Sequence, residues 1–438
     1  MFRLGLVKAP LTGSSSLRLQ SSLPPCRFYF RTAFVAAKHK RSRLPVANNV
    51  KPPSRPFPRT QAPPIDPPIE PTPEPSEPPP TFDPAERDNR TATSARNQFL
   101  FAGSVIFSVF LWGAVRTNAE TDTWVAKITH GRGAVGLDNG TLVRAKVFDL
   151  VEELKRWGNE VRQLTSSLPA IPQNAIRQAY FGVAEKYATA NDATKVCWGI
   201  CALNGAIFIA WHIPRLTGFM AANFVHRPLS GRAHTQLTSI FSHQSFFHLL
   251  FNSMALLSFG PIVGSYLYTS QPSARGTSNH LESTTGYHFL AMFIAAGLIS
   301  SLASHTLRVR LYDRIVATLP KLSNPGRLSI TNGSLGASGA IYACVTFDAV
   351  AYPDLTIAPI FIPWGVPIRM GVGALMMLDL VGLLRGWRMF DHIAHLGGAV
   401  FGLWYALYGP AIWVRWRAMA SYLFDTKPKE TKGVEEWK

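Results

Sequence analysis

Ser338 stands in the run Gly336-Ala337-Ser338-Gly339, where small neighbours leave a peptide backbone room to approach its hydroxyl. The run opens an apolar segment. The first turn of a helix leaves backbone N–H groups without intrahelical partners, and such groups bind developing negative charge. Acyl transfer by a serine also needs a base and further donors aimed at the oxyanion. A base is available in Asp391-His392-Ile393-Ala394-His395-Leu396-Gly397-Gly398, where His395 opens another apolar segment. Gly398 and Gly402 are four apart and share a helix face. They permit the close helix approach that would set His395 against Ser338. His392 is the rival base; it lies three residues earlier and has no glycine in step with it. The plainer readings are small-residue packing for the serine run and a bundle hydrogen bond for the histidine.

His248 and Asn252, in His248-Leu249-Leu250-Phe251-Asn252, are four apart and so lie on one helical face. Both can donate hydrogen bonds, and two donors in an apolar span require an acceptor. An oxyanion would supply one, as would polar groups of neighbouring helices. Tyr342 follows Ser338 by four residues, one turn deeper, where its ring could pack under His395 or serve as an ordinary bundle aromatic. Asp379 lies between Leu378 and Leu380. An acid at bilayer depth costs about 2.5–3.5 kcal/mol on insertion scales, so Asp379 is expected to be neutral or paired within the bundle. Its functional reading is a third group near the site or a substrate gate. Asp391, four before His395, could pair with it, but is expected to cap the last helix.

These residues need rigid elements to hold them, and the composition says which kind. Of 438 residues, 47% are apolar and 16% charged, against about 25% charged in average globular chains. A helix needs about 20 apolar residues to cross a bilayer. Runs of that type occupy 98–116, 196–213, 246–267, 287–305, 334–352, 369–386 and 392–413. The expected fold is an all-α polytopic membrane protein with one span followed by six. The net charge of +18 does not point to nucleic acid, because many of the basic residues sit in an N-terminal arm and in short loops. Cys26, Cys197, Cys201 and Cys344 form no CxxC pair and read as small packing residues. No metal or cofactor is expected.

The first 65 residues hold 12 Lys/Arg and no acid. That is the composition of a mitochondrial transit peptide, or of a basic disordered tail. Residues 52–84 hold 15 of the 33 prolines, an extended linker by composition. The resulting division is 1–50 transit peptide, 51–95 proline-rich disordered linker, 96–117 first transmembrane helix, 118–195 aqueous linker, 196–413 six-span domain and 414–438 polar tail. Within the aqueous linker, Val147, Leu150, Leu154, Trp157, Val161 and Leu164 form a heptad seam, for an amphipathic helix or for self-association. Loop 306–333 carries Arg308, Arg310, Arg314, Lys321 and Arg327 against Asp313, while 268–286 and 353–368 share only Arg275. With the presequence, this bias places the N-terminus in the matrix and the C-terminus in the intermembrane space.

In combination, Gly-Ala-Ser-Gly with a tyrosine four after the serine, His-x-x-x-Asn two spans earlier and Ala-His-x-Gly-Gly-x-x-x-Gly in the last span resemble the rhomboid proteases over about 196–413. The leader and extra N-terminal span resemble the mitochondrial branch, the presenilin-associated rhomboid-like and fungal inner-membrane enzymes. The resemblance implies a six-helix rhomboid bundle with one added N-terminal helix. It implies a serine–histidine dyad without a carboxylate, Ser338 the nucleophile and His395 the general base. It likewise implies an oxyanion hole from His248, Asn252 and the Ser338 N–H, with Tyr342, Gly336, Gly339 and Gly398 in support. Implied substrates are single-span membrane proteins, among them a dynamin-like GTPase and a peroxidase precursor. The chain departs from many bacterial relatives in lacking a clear Trp-Arg pair in 214–245. The rivals are a rhomboid-fold pseudoprotease, which would be expected to lack the serine or histidine that this chain keeps, and a polytopic chaperone or transporter. A transporter would usually show internal repeats, and none is found.

Overall fold

No proline interrupts residues 85–129, and Pro84 suits the first position of a helix, where its missing N–H costs nothing. In the computed structural model this stretch is one 46-residue helix, α1 (Pro84–Thr129), which overruns the expected 96–117 span at both ends. The structure describes residues 84–131, 136–271, 281–318, 333–358, 364–387 and 390–424. The proposed transit peptide, most of the proline-rich linker and the last part of the tail lie outside them. Residues 414–424, expected as tail, are helical and continue the last span.

Two helices, rather than one, fill the aqueous linker. α2 (Asn139–Leu164) is capped by Asp138, whose carboxylate accepts from Thr141 N at 2.7 Å. α3 (Ala170–Thr189) folds back on it, and Tyr180 Oη donates to Leu154 O at 2.6 Å. In the heptad seam Val147, Leu150, Leu154 and Val161 are half-buried, while Trp157 and Leu164 are exposed. α2 packs against both α3 and α1.

The remaining helices are α4 (Asp192–Trp211), α5 (Thr217–Asn223), α6 (Thr235–Thr238), α7 (Phe246–Thr269), α8 (Gly286–Thr318), α9 (Ser338–Ala351), α10 (Ile368–Arg385) and α11 (His392–Phe424). A two-residue antiparallel ladder, β1 (Thr356–Ile357) with β2 (Val366–Pro367), joins α9 to α10. The chain is an all-α polytopic membrane protein, with helices at all seven expected spans. By length and composition, four of the described helices can cross a membrane: α1 from Ala95, α4, α7 and α8. α8 supplies much of the core through Phe289, Met292, Phe293 and Leu298. α4 meets α7 where Gly260 faces Cys197 and Gly264 faces Ala193; a Cβ on either glycine would collide with its neighbour. Cys197 is a buried packing residue there.

α9 has 14 residues, about 21 Å of helix at 1.5 Å per residue. That is short of the roughly 30 Å hydrocarbon core. Its first residue is Ser338, so the predicted 334–352 span begins as loop and becomes helix only at the serine. α1 flanks α8 and α11. It is fixed by Phe110 stacked on Trp416 at 5.7 Å and by Asn118, whose Oδ1 accepts from Arg417 Nε at 2.8 Å.

Candidate active site

Two short approaches of backbone bring the α9 and α11 residues together, and a third glycine sets α9 against α8. A Cβ on Gly398 would collide with Gly339 O, and one on Gly402 would collide with Ala343 O. A Cβ on Gly339 would meet Ser300 of α8 at 2.6 Å. Only glycine allows this crossing, and Thr346 Oγ1 lies within hydrogen-bond distance of both Tyr342 O in its own helix, at 2.9 Å, and Ala399 O across the crossing, at 3.0 Å. The result sets His395 Nε2 2.8 Å from Ser338 Oγ. The His395 ring stacks on Tyr342, centroids 4.6 Å apart and planes 11° from parallel. Asp391 caps α11, its Oδ1 accepting from Ala394 N at 3.1 Å, and pairs with Arg308 at 3.0 Å. It does not serve His395. That place belongs to Asp379 on α10, whose Oδ1 lies 3.1 Å from His395 Nδ1 and 2.6 Å from His392 Nδ1. Tyr342 Oη donates to Asp379 Oδ2. His392, the rival base, is therefore engaged with Asp379 through Nδ1.

Ser338 is half-buried and is the first residue of its helix, so the N–H groups of this turn are free of intrahelical bonds. Gly336 precedes it at φ +125°, a conformation that L side chains rarely adopt. A Cβ there would also fall 2.6 Å from the His248 ring. Glycine at 336 thus answers two demands, backbone conformation and room for His248. Asn252 shares the helix face with His248, but its Nδ2 donates to His248 O at 2.8 Å. One N–H of its amide is thus used on its own helix, and the second remains able to donate.

The loop between α4 and α7 braces the serine run. His226 and Ser334 exchange two backbone hydrogen bonds of 3.0 and 2.9 Å, and Gly336 N donates to Ser239 O at 2.9 Å. His226 is buried, with Nδ1 2.9 Å from Thr235 Oγ1 and Nε2 3.1 Å from His305 Nδ1. Burial, with His305 and Arg308 beside it, pushes its pKa down to about 3. His243 is likewise fully buried, 4.9 Å from the His248 ring centroid, and Ala337 N donates to its Nε2 at 3.5 Å. Burial, then His248, pushes the His243 pKa down to about 4. The sequence reading missed His243, because it lies outside a helix and has no periodic partner. It also left the Asp379 partners open.

A helical bundle that sets a serine at a helix start against a histidine from the last helix is similar to known membrane proteins. The family model described as Rhomboid domain matches residues 230–411. Over 221 residues the chain is 33% identical to presenilin-associated rhomboid-like protein, mitochondrial, of Mus musculus, covering 50% of each. It is 32% identical over 258 residues to presenilin-associated rhomboid-like protein A, mitochondrial, of Danio rerio, covering 58% of this chain and 56% of that protein. It is 27% identical over 274 residues to Rhomboid protein 1, mitochondrial, of Saccharomyces cerevisiae, covering 61% and 69%. The chain spans about half the length of the mouse and zebrafish relatives it matches.

Proposed function

We propose that this chain is an intramembrane serine protease of the mitochondrial inner membrane that cuts single-span membrane proteins. The observation that carries the reading is the 2.8 Å approach of His395 Nε2 to Ser338 Oγ, at the start of a helix too short to fill a bilayer. Ser338 Oγ attacks the carbonyl carbon of the scissile bond, and its proton passes to His395 Nε2. The oxyanion that forms faces the free N–H groups of the α9 first turn and the ring of His248, with Asn252 on the same face of α7. Collapse of the tetrahedral species breaks the C–N bond, and the leaving amine takes the proton from His395. Water, deprotonated by His395, then releases the acyl group and restores Ser338. Tyr342 supports the His395 ring throughout.

Helical peptide bonds are shielded by their own hydrogen bonds, so substrates should carry helix-weakening Gly, Pro or polar residues within the span. The names of the relatives and the basic leader support a mitochondrial setting. The loop charges support an N-terminus in the matrix and a C-terminus in the intermembrane space. The test uses the purified full chain in proteoliposomes with a model single-span substrate. Wild type should cleave, and Ser338→Ala should not. Equal cleavage by both would remove Ser338 as the nucleophile, and none by either would favour a pseudoprotease.

A further inference from the structure

Asp379 occupies a costly place for an acid. It is 4% exposed, yet Leu378 and Leu380 beside it are exposed. Only Ile368, Val372 and Gly382 join it as buried residues of α10. Three donors meet its two oxygens: His395 Nδ1 at 3.1 Å and His392 Nδ1 at 2.6 Å on Oδ1, and Tyr342 Oη on Oδ2. His392 is held in turn by Gly382, where a Cβ would lie 2.5 Å from its ring. A lone structural acid would need one partner. This one gathers the proposed base, the ring beneath it and a second imidazole, all around a single carboxylate.

We propose that Asp379 is a positioning residue that completes a Ser338–His395–Asp379 triad, its carboxylate delivered by α10 to a pair held on α9 and α11. The proposal rests on the protease reading above and deepens it, since a dyad needs no carboxylate. The two ring nitrogens of a histidine are distinct, and the partner of one fixes the state of the other. A carboxylate oxygen only accepts, so Asp379 places the proton of neutral His395 on Nδ1 and leaves the Nε2 lone pair toward Ser338 Oγ. When the serine proton arrives at Nε2, the carboxylate faces the cationic ring; no proton moves to Asp379. His392 and Tyr342 are the two further donors that hold the carboxylate where His395 needs it.

Asp379→Asn preserves the shape but offers an N–H₂ that selects the wrong His395 tautomer. In a serine-protease triad that exchange lowers kcat about 10⁴-fold. Because Tyr342 also orients the ring here, a fall of at least about 10²-fold is expected, with KM within about twofold. Proteoliposomes of the full chain with the model single-span substrate give both constants, with Ser338→Ala in parallel. An Asp379→Asn variant with wild-type kcat overturns the triad and leaves the dyad standing. Cleavage by Ser338→Ala overturns the protease reading and the triad with it. A second measurement needs no folded Asp379 variant. In ¹⁵N-histidine spectra of the wild-type chain in lipid, the resonance lost in His395→Gln should be that of an Nδ1–H tautomer. An Nε2–H tautomer would overturn the proposal.

Discussion

Tyr342 does two jobs for His395, and they can be separated. Its ring stacks under the imidazole, and its hydroxyl donates to Asp379. Tyr342→Phe keeps the ring and loses only the donor. A hydrogen bond to a charged group contributes about 1.5–3 kcal/mol, so kcat should fall by roughly 10- to 100-fold, while Tyr342→Leu, which loses the stack as well, should fall further. Steady-state cleavage of the model substrate checks the order of the two. At this scale the sequence was legible where helical spacing ties residues together. Ser338 with Tyr342, His248 with Asn252, and Gly398 with Gly402 all sit at intervals of four, and each pair lies on one helix. Contacts across helices were not legible. Nothing in the spacing of Asp379 says that it meets both His392 and His395. The bond from Asn252 to His248 O is a matter of rotamer, and His243 acts from a segment with no period to read.

The α9–α11 crossing is the element on which the site depends. Gly398 and Gly402 place α11 against the α9 backbone itself, with no side chain able to yield. Gly398→Ala is expected to cost at least about 3 kcal/mol, the upper end for overpacking a close-packed interior, and to abolish cleavage. Gly373, on α10, has nothing within 4 Å of a built Cβ, so Gly373→Ala should leave both stability and activity intact. Thermal unfolding in detergent, paired with the cleavage assay, distinguishes the two. The α4–α7 loop sets a second dependence. His226 and His243 are neutral in the fold, with pKa values near 3 and 4 against an ordinary 6.5. Below about pH 6.5 the unfolded chain binds protons that the folded chain refuses. Stability should therefore be full above pH 6.5 and decline as pH falls toward 4. His243→Gln should flatten the upper part of that decline in thermal-midpoint measurements. The seven apolar runs gave the helices, because a run of some 20 apolar residues has few other uses. The amphipathic helix of the linker is found as α2, while the full length of α1, the second linker helix α3 and the late start of α9 were not legible. Helix ends depend on capping and tertiary contacts that composition does not carry.

Over the whole molecule, the site lies at one end of the bundle and a polar tie at the other. The site gathers the N-terminal ends of α7, α9 and α11. At the far end Glu282, 3% exposed, accepts from Trp413 Nε1 at 3.2 Å and pairs with Arg417 at 3.3 Å, while Arg417 also holds Asn118 of α1. The added N-terminal helix is thereby locked to the last span, well away from Ser338. With the N-terminus in the matrix, as proposed, an odd number of crossings carries the C-terminal tail to the intermembrane space. In mitochondria with only the outer membrane opened, added protease should remove the tail; protection until the inner membrane is lysed would reverse the orientation. The central claim is that Ser338 is a nucleophile activated by His395. The most direct measurement is peptide mapping of the full chain after reaction with a fluorophosphonate in lipid. The account predicts a covalent adduct on Ser338 in wild type that is lost in Ser338→Ala and strongly slowed in His395→Ala. An adduct that forms at the same rate without His395, or none on Ser338 in a wild-type protein that cleaves substrate, would contradict it.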